Sequence, residues 1–350
     1  MEGKQDTWAM AAVAIVESCV AAQQERKAVL RNEVNGVSKR LKKLPTEVQA
    51  ELSNQLRKVL SWDDLTESLV RKSGGRVVRP SFRAVLSGKS VLRGGAPSDG
   101  PEWLLNDKVG CLRFVDEKGL VRPKLLAQGL ELEKLPRSSG VVVKPESGAS
   151  SRGVFLVPNN HEIFQVAEKA TLGSWDELIG AGKSLLASNK VQRDKWLVEE
   201  LVLPTPGELT SGRDLKFYAF YGRVELVLEV KRYPTTSYAW WTRDGARCDT
   251  GKYVQELMEG TGLKAGEVEF VERLSQAIPL PFIRIDFLRS QSGLVFGEFT
   301  PRPGGYEQFN DETDERLGLA YAEAERRLLS DLLDGKRFSD IFRSARASHG

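Results

Sequence analysis

A chain of 350 residues, 41% hydrophobic and 28% charged, is long enough for two or three modest domains of ordinary globular composition. Lys plus Arg number 51 against 48 for Asp plus Glu, so net charge announces no polyanion-binding surface and nucleic acid is disfavoured as a partner, a local basic cleft aside. Cys19, Cys111 and Cys248 are scattered and odd in number, and His161 and His349 are the only histidines. Neither a disulfide framework nor a Cys/His metal site fits, and a reducing, cytoplasmic compartment does.

In chain order, residues 8 to 22 (WAMAAVAIVESCVAA) come nearest to a membrane signal. Glu17 interrupts them, they are too short to span, and no positive segment leads into them, so they read as a buried helix face with no membrane insertion. Helical character runs from about 8 to 72, with Val48, Leu52, Leu56 and Leu60 at four-residue spacing and Ser61 with Asp64 as an N-cap pair. RKSGG ends it. Between 73 and 103 Gly, Ser, Pro and Arg dominate, which suggests a linker or loosely organised short strands, not another packed helix, and a domain boundary nearby. After 140 the pattern is β segments separated by helices, with strands near 140–144, 153–157, 195–202, 214–220, 223–230, 281–288 and 294–299.

The stretch VVVKPESGASSRGVFLV, residues 141 to 157, is a strand ending in Lys144 followed by Ser147, Gly148, Ser150, Ser151 and Gly153. Backbone N–H groups, hydroxyls and an ammonium in this order can wrap phosphate oxygens. A plain Gly/Ser hairpin turn accounts for the same residues. GAGKS at 180–184 imitates the end of a phosphate-binding loop, but Glu177 stands where that loop needs Gly and the surrounding pattern is helical, so the motif is rejected.

PFIRIDFLRSQSGLVFGEFTPRPGG, residues 281 to 305, reads as a hairpin. Alternation places Ile283, Ile285 and Phe287 with Val295 and Phe299 on one face, and Arg284 and Asp286 with Glu298 and Thr300 on the other. Closure about Ser292 would set Asp286 opposite Glu298, a like-charge pair that calls for a cation, and oxygen ligands favour Mg²⁺ or Mn²⁺. Carboxylates pointing to solvent, or a register one residue off, remain the alternatives. Between these segments, residues 196 to 230 hold a strand ending at Glu199, Glu200, Leu201 and Val202, a loop with Glu208, and a strand opened by Asp214 and Lys216.

Together, LNDKVGCLRFV, VVVKPESGASSRGV, VEELV, RDLKFYAFYGRVELV, FIRIDFLRSQSGLVFGEFTPRPGGYEQFN and DERLG resemble the ATP-grasp superfamily, closest to its TupA-like (teichuronopeptide biosynthesis-like) branch, over roughly 104 to 335. The resemblance implies an α+β ATP-grasp fold, two α+β subdomains gripping ATP, preceded by a helical N-terminal region. The corresponding division is 1–72 helical, 73–139 linker and partial pre-grasp region, 140–202 lid subdomain, 203–335 large subdomain with the metal site, and 336–350 tail. It implies Lys108 and Lys144 on ATP phosphates beneath a cover of Ser147, Gly148, Ser150, Ser151 and Gly153. It further implies Glu199, Glu200, Leu201 and Val202 at the adenine hinge, Glu208 at the ribose, Lys216 and Arg284 at the γ-phosphate or the intermediate as catalytic groups, and Mg²⁺ (or Mn²⁺) on Asp286 and Glu298. Thr300 stands where most relatives carry Asn.

The activity implied is an ATP-dependent carboxylate–amine ligase that makes an amide or peptide bond through an acyl phosphate, in peptide natural-product or cell-surface polymer biosynthesis. Its partners would be amino-acid or peptide substrates, with Arg232, Arg302 and Gly304 as substrate contacts; the N-terminal helices are a candidate homo-oligomer surface. A kinase acting on a hydroxyl acceptor and a non-catalytic ATP-responsive module are the alternatives on the same scaffold.

Overall fold

A computed structural model describes residues 2–41, 43–59, 80–93, 101–107, 110–147, 151–339 and 341. The chain falls into two compact units that divide between Pro80 and Ser81. In the first, α1 (Glu2–Leu41) and α2 (Thr46–Val59) bear out the helical reading; Leu60, Ser61 and Asp64 lie outside the described residues. The expectation of a buried apolar face over 8–22 does not hold where side chains are described: Val13, Ile15, Val16 and Val20 are all exposed. Their apolar residues do not segregate to one stripe, and α2, with 14 residues against the 40 of α1, is too short to cover that helix. Among the described residues no helix is long and apolar enough to cross a membrane.

The second unit begins with a correction. Residues 82–93, expected to be linker, form a packed helix, α3 (Phe82–Arg93). Ser81 Oγ accepts from the Ala84 N–H at 3.1 Å, an N-cap that Pro80 precedes, and Phe82 and Leu86 are fully buried. Phe82 meets Phe282 edge-on at 4.8 Å between centroids. Two short helices follow, α4 (Pro101–Asn106) and α5 (Leu112–Glu117).

Two antiparallel sheets make up the rest. The first contains β1 (Leu125–Leu130), β2 (Val141–Pro145), β3 (Phe155–Asn159), β4 (Glu162–Gln165), β5 (Ala170–Leu172) and β6 (Trp196–Glu200), in the order β1-β6-β2-β3-β4-β5. Val141, Val143, Phe155, Trp196 and Val198 bury one face against Trp175, Leu178 and Leu185 of α6 (Trp175–Ala187). GAGKS lies on α6, as the helical pattern requires; Gly182 faces Leu132, and Lys183 pairs with Glu133.

The second sheet contains β7 (Asp214–Ala219), β8 (Val224–Lys231), β9 (Ser237–Thr242), β10 (Ile283–Ser290) and β11 (Gly293–Thr300), in the order β11-β10-β7-β8-β9. One face, with Leu215, Phe217, Ile283, Ile285 and Phe287, packs on α7 (Glu267–Ser275) and on Phe114 and Val115. The other, with Tyr218, Leu226, Leu228 and Trp240, packs on α3 and on Leu317, Tyr321 and Ala324 of α8 (Asp311–Leu333). Every β segment read from the sequence after 140 is present; β1, β4, β5 and β9 are additional.

Candidate active site

The chemistry-bearing side chains of the second sheet form two adjacent rows. Register sets Lys216, Asp286 and Glu298 side by side across β7, β10 and β11, and Tyr218, Arg284 and Thr300 in the next row on the same face. The expected opposition of Asp286 and Glu298 is therefore real, but not by symmetric closure. The hairpin closes at Ser290 and Gly293, which alone would set Asp286 opposite Gly297. An irregularity between Asp286 and Phe287 shifts the pairing by one residue, a bulge centred on Gly297. A side chain fits only tightly here, because a Cβ on Gly297 would lie 3.1 Å from the Asp286 carbonyl oxygen, which would have to give way. The bulge also reverses the alternation: Phe296, not Val295, joins Phe287 and Phe299 in the core cluster.

Asp286 is 4% exposed and holds two cations. Arg284 donates to it through Nε and Nη2, both at 2.7 Å, and Lys216 Nζ donates to Oδ2. Burial pushes the Asp286 carboxyl up, and the Arg284 guanidinium and Lys216 ammonium outweigh it, holding it below the ordinary carboxylate range. Burial likewise works against the Arg284 charge, and the Asp286 carboxylate more than reverses that. Arg284 Nη2 also donates to Thr300 Oγ1 at 3.0 Å, so the residue standing in place of Asn orients the guanidinium. Glu298 is freer, with its side chain 41% exposed and Arg284 Nη2 at 3.6 Å.

Two facing carboxylates fit a divalent ion that completes its shell with water and nucleotide phosphate oxygens, the habit of Mg²⁺. Among the described residues no cluster of three His, Cys, Asp or Glu could hold a metal ion unaided.

On the first sheet, Lys144 pairs with Glu199, a diagonal neighbour from β6, and both are largely buried. Glu199 thus answers a lysine in this state. The Leu201 N–H donates to Gly140 O at 2.9 Å, which leaves Val202 without a backbone acceptor among the described residues. Glu200 and Glu208 are exposed; Glu200 accepts weakly from the Lys124 N–H at 3.4 Å, and Glu208 from Thr210 Oγ1 at 2.7 Å. Lys108, Gly148 and Ser150 lie outside the described residues, while Ser147 begins the cover segment and Ser151 to Gly153 close it. Gly153 has φ +72°, and a Cβ there would meet the Trp196 ring at 3.2 Å, so its glycine serves the turn as well as any ligand.

Arg232 joins the two sheets. It donates to Asp214 Oδ2 at 2.7 Å and to Ser151 Oγ at 3.2 Å. Its neighbour Tyr233 donates to Glu162 at 3.2 Å. Arg302 is partly buried beyond β11, and Gly304 accepts from Lys252 Nζ at 2.7 Å. On β9, Trp240 and Trp241 are both buried, on opposite sheet faces, whereas Tyr238 stacks on Tyr253 at 3.9 Å. The sequence reading missed Lys252 and Tyr253, and named Asp214 only as a residue opening the strand that presents Lys216, with no role at the site.

A cavity of 530 Å³ lies at the β7–β8 turn, lined by Gly222, Arg223, Arg243, Asp244, Glu272 and Arg327. It contains none of these site residues, and its Arg243 is already bound by both Glu272 oxygens at 2.8 and 2.9 Å.

Solved structures to which the chain is similar include D-alanine–D-alanine ligase from Bacillus anthracis (14% identity, 71% of this chain and 71% of that chain, TM-score 0.40). Two others are the macrocyclase MdnC from Microcystis aeruginosa MRC bound with precursor peptide MdnA (14%, 69% and 69%, 0.37) and a Chryseobacterium gregarium RiPP-associated ATP-grasp ligase in complex with ADP and a leader and core peptide (14%, 69% and 68%, 0.37). No curated protein matches the chain. The family model for TupA-like ATP-grasp proteins matches residues 92–322, which contain both sheets and every residue of the two rows, and the chain belongs to that family.

Proposed function

We propose that the protein is an ATP-dependent carboxylate–amine ligase that joins an acid to an amine, at least one of them an amino acid or peptide. The observation that carries the reading is the row Lys216–Asp286–Glu298 with Arg284 beside it, on a sheet face of a chain in an ATP-grasp family. In this reading Asp286 and Glu298 hold Mg²⁺, which when bound would neutralise charge on the nucleotide phosphates. Lys144 and the Ser147–Gly153 segment bind phosphate oxygens, Val202 N–H and the Leu201 carbonyl meet the adenine, and Glu208 meets the ribose.

The substrate carboxylate oxygen attacks the γ-phosphorus; an O–P bond forms, the bond to the departing ADP oxygen breaks, and Lys216 and Arg284 stabilise the transferring group by position and charge. The amine nitrogen then attacks the acyl carbon, C–N forms, C–O breaks, phosphate leaves, and the amine gives up a proton. No protein nucleophile is needed. Arg302 and Arg232 are proposed carboxylate contacts, Arg232 while held by Asp214.

The test is mass spectrometry of the purified protein with Mg²⁺-ATP and pooled amino and hydroxy acids, with Glu298→Gln as control. ADP together with a new mass equal to two pool members less water is the expected result. A phosphorylated pool member in its place would make the protein a kinase.

A further inference from the structure

Only two cationic side chains are buried among the described residues, Arg289 and Lys252. Arg289 has its counter-ion: Nη2 donates to Glu267 at 2.7 Å. Lys252, 2% exposed, has none; Nζ donates to the Gly304 carbonyl at 2.7 Å and lies over the rings of Tyr253 and Phe309 at 5.0 and 5.4 Å. Four other cations of the site are committed to carboxylates: Lys144 to Glu199, Lys216 and Arg284 to Asp286, and Arg232 to Asp214. A buried ammonium without a counter-ion is costly, and ring faces with one carbonyl compensate only part of that cost.

Its placement is fixed from both ends. The Trp240 indole donates to the Lys252 carbonyl at 3.0 Å, and Gly305 closes over the ammonium so tightly that a Cβ there would lie 2.9 Å from Nζ. Burial first, and then the nearby Arg284 guanidinium, push the ammonium down to about 8, with Glu307 acting the other way. Lys252 therefore sits beneath the turn that follows the proposed metal strand, within the field of the proposed catalytic arginine.

We propose that Lys252 is the anion anchor of the substrate side of this site, taking an oxyanion at the Gly304–Gly305 turn. That oxyanion is either the carboxylate of the acid substrate or the phosphoryl group passing to it. The proposal rests on the ligase reading for what the oxyanion belongs to, and on the unanswered buried charge for its existence.

The test titrates acetate and inorganic phosphate, at constant ionic strength and followed by the unfolding midpoint, onto the full chain with and without MgADP. Wild type is compared with Lys252→Met and Lys252→Gln, the second retaining a donor for the Gly304 carbonyl should the first fail to fold. Expected are midpoint stabilisation of the wild type by one of the two anions and at least a tenfold loss of that affinity in both variants, with MgADP affinity within twofold. The anion that responds names the source, acetate for the acid and phosphate for the phosphoryl group. Wild-type indifference to both anions, or variants that bind them as the wild type does, overturns the proposal and leaves Lys252 a pin for Gly304. Failure of the wild type to bind MgADP would instead sink the ligase reading, and the nucleotide-free titrations would still decide on Lys252.

Discussion

Asp286 and Glu298 face each other, yet the same amide change does different things to them. Asp286→Asn strands Lys216 and Arg284, whose side chains are 12% and 13% exposed, without a carboxylate. Breaking such a buried arrangement costs about 3–5 kcal/mol, so a large fall in the urea midpoint should accompany its loss of turnover. Glu298→Gln is the cleaner probe: stability within about 0.5 kcal/mol of wild type and turnover down at least ~100-fold, read from ADP release beside the same urea titration. Full activity in that variant would remove Glu298 from the metal site. Lys144→Ala should weaken ATP binding by about tenfold, measured calorimetrically, because one charge-assisted contact is lost; unchanged affinity would move the phosphate site elsewhere.

Lys252 supplies a pH signature. Its folded value, about 8, lies below its ordinary 10.5, so the unfolded chain binds more protons between the two and native stability gains with rising pH across that window. Below pH 8 the buried charge costs roughly 3 kcal/mol. The stability advantage expected of Lys252→Met over wild type is therefore greatest near pH 7 and shrinks as pH rises toward 10, a trend that paired thermal melts would check.

At the scale of elements, the β10–β11 hairpin depends on Gly297. Gly297→Val should cost about 1–3 kcal/mol by forcing the Asp286 carbonyl aside, and should impair Mg²⁺-dependent turnover by disturbing the Asp286–Glu298 register. Wild-type urea midpoint and activity together would show that the bulge is not what sets the pair. The hairpin also shows what a sequence can and cannot convey. Period-two alternation marks both strands and the facing carboxylates, but a bulge is a one-residue change of parity that alternation cannot announce, so it assigns Val295, also buried, to the sheet face that Phe296 occupies. The linker reading of 82–93 failed for a related reason. The flanking Gly, Ser and Arg residues dominated the composition, while the signal was local: Pro80 and Ser81 as a cap and Phe82 and Leu86 one turn apart. Lys252 was illegible because nothing in TGKY distinguishes a buried lysine from a surface one; only the later fold of Gly304 and Gly305 over it does.

For the whole molecule, all described site residues and the family match fall within Ser81–Gly350. A chain beginning at Ser81 should unfold in one cooperative transition and bind MgADP within twofold of the full-length protein. A tenfold loss by calorimetry would assign part of nucleotide binding to residues 1–80.

Strand order in both sheets carries a further consequence, for how the protein is made. β6 pairs between β1 and β2, and β10 between β7 and β11, so each sheet receives a central strand only after long intervening sequence has been synthesised. The meander β7–β8–β9 closes through local hairpins, whereas Phe217 must wait for Ile285. Non-local pairing of this kind is slow, and an open β7 edge is a surface on which nascent chains can stick to one another. Lys216 waits on that same edge for Asp286. A ribosome stalled before residue 283 would therefore hold a chain with its lysine in place and no carboxylate to answer it, unable to assemble the row and exposed to aggregation for as long as the stall lasts.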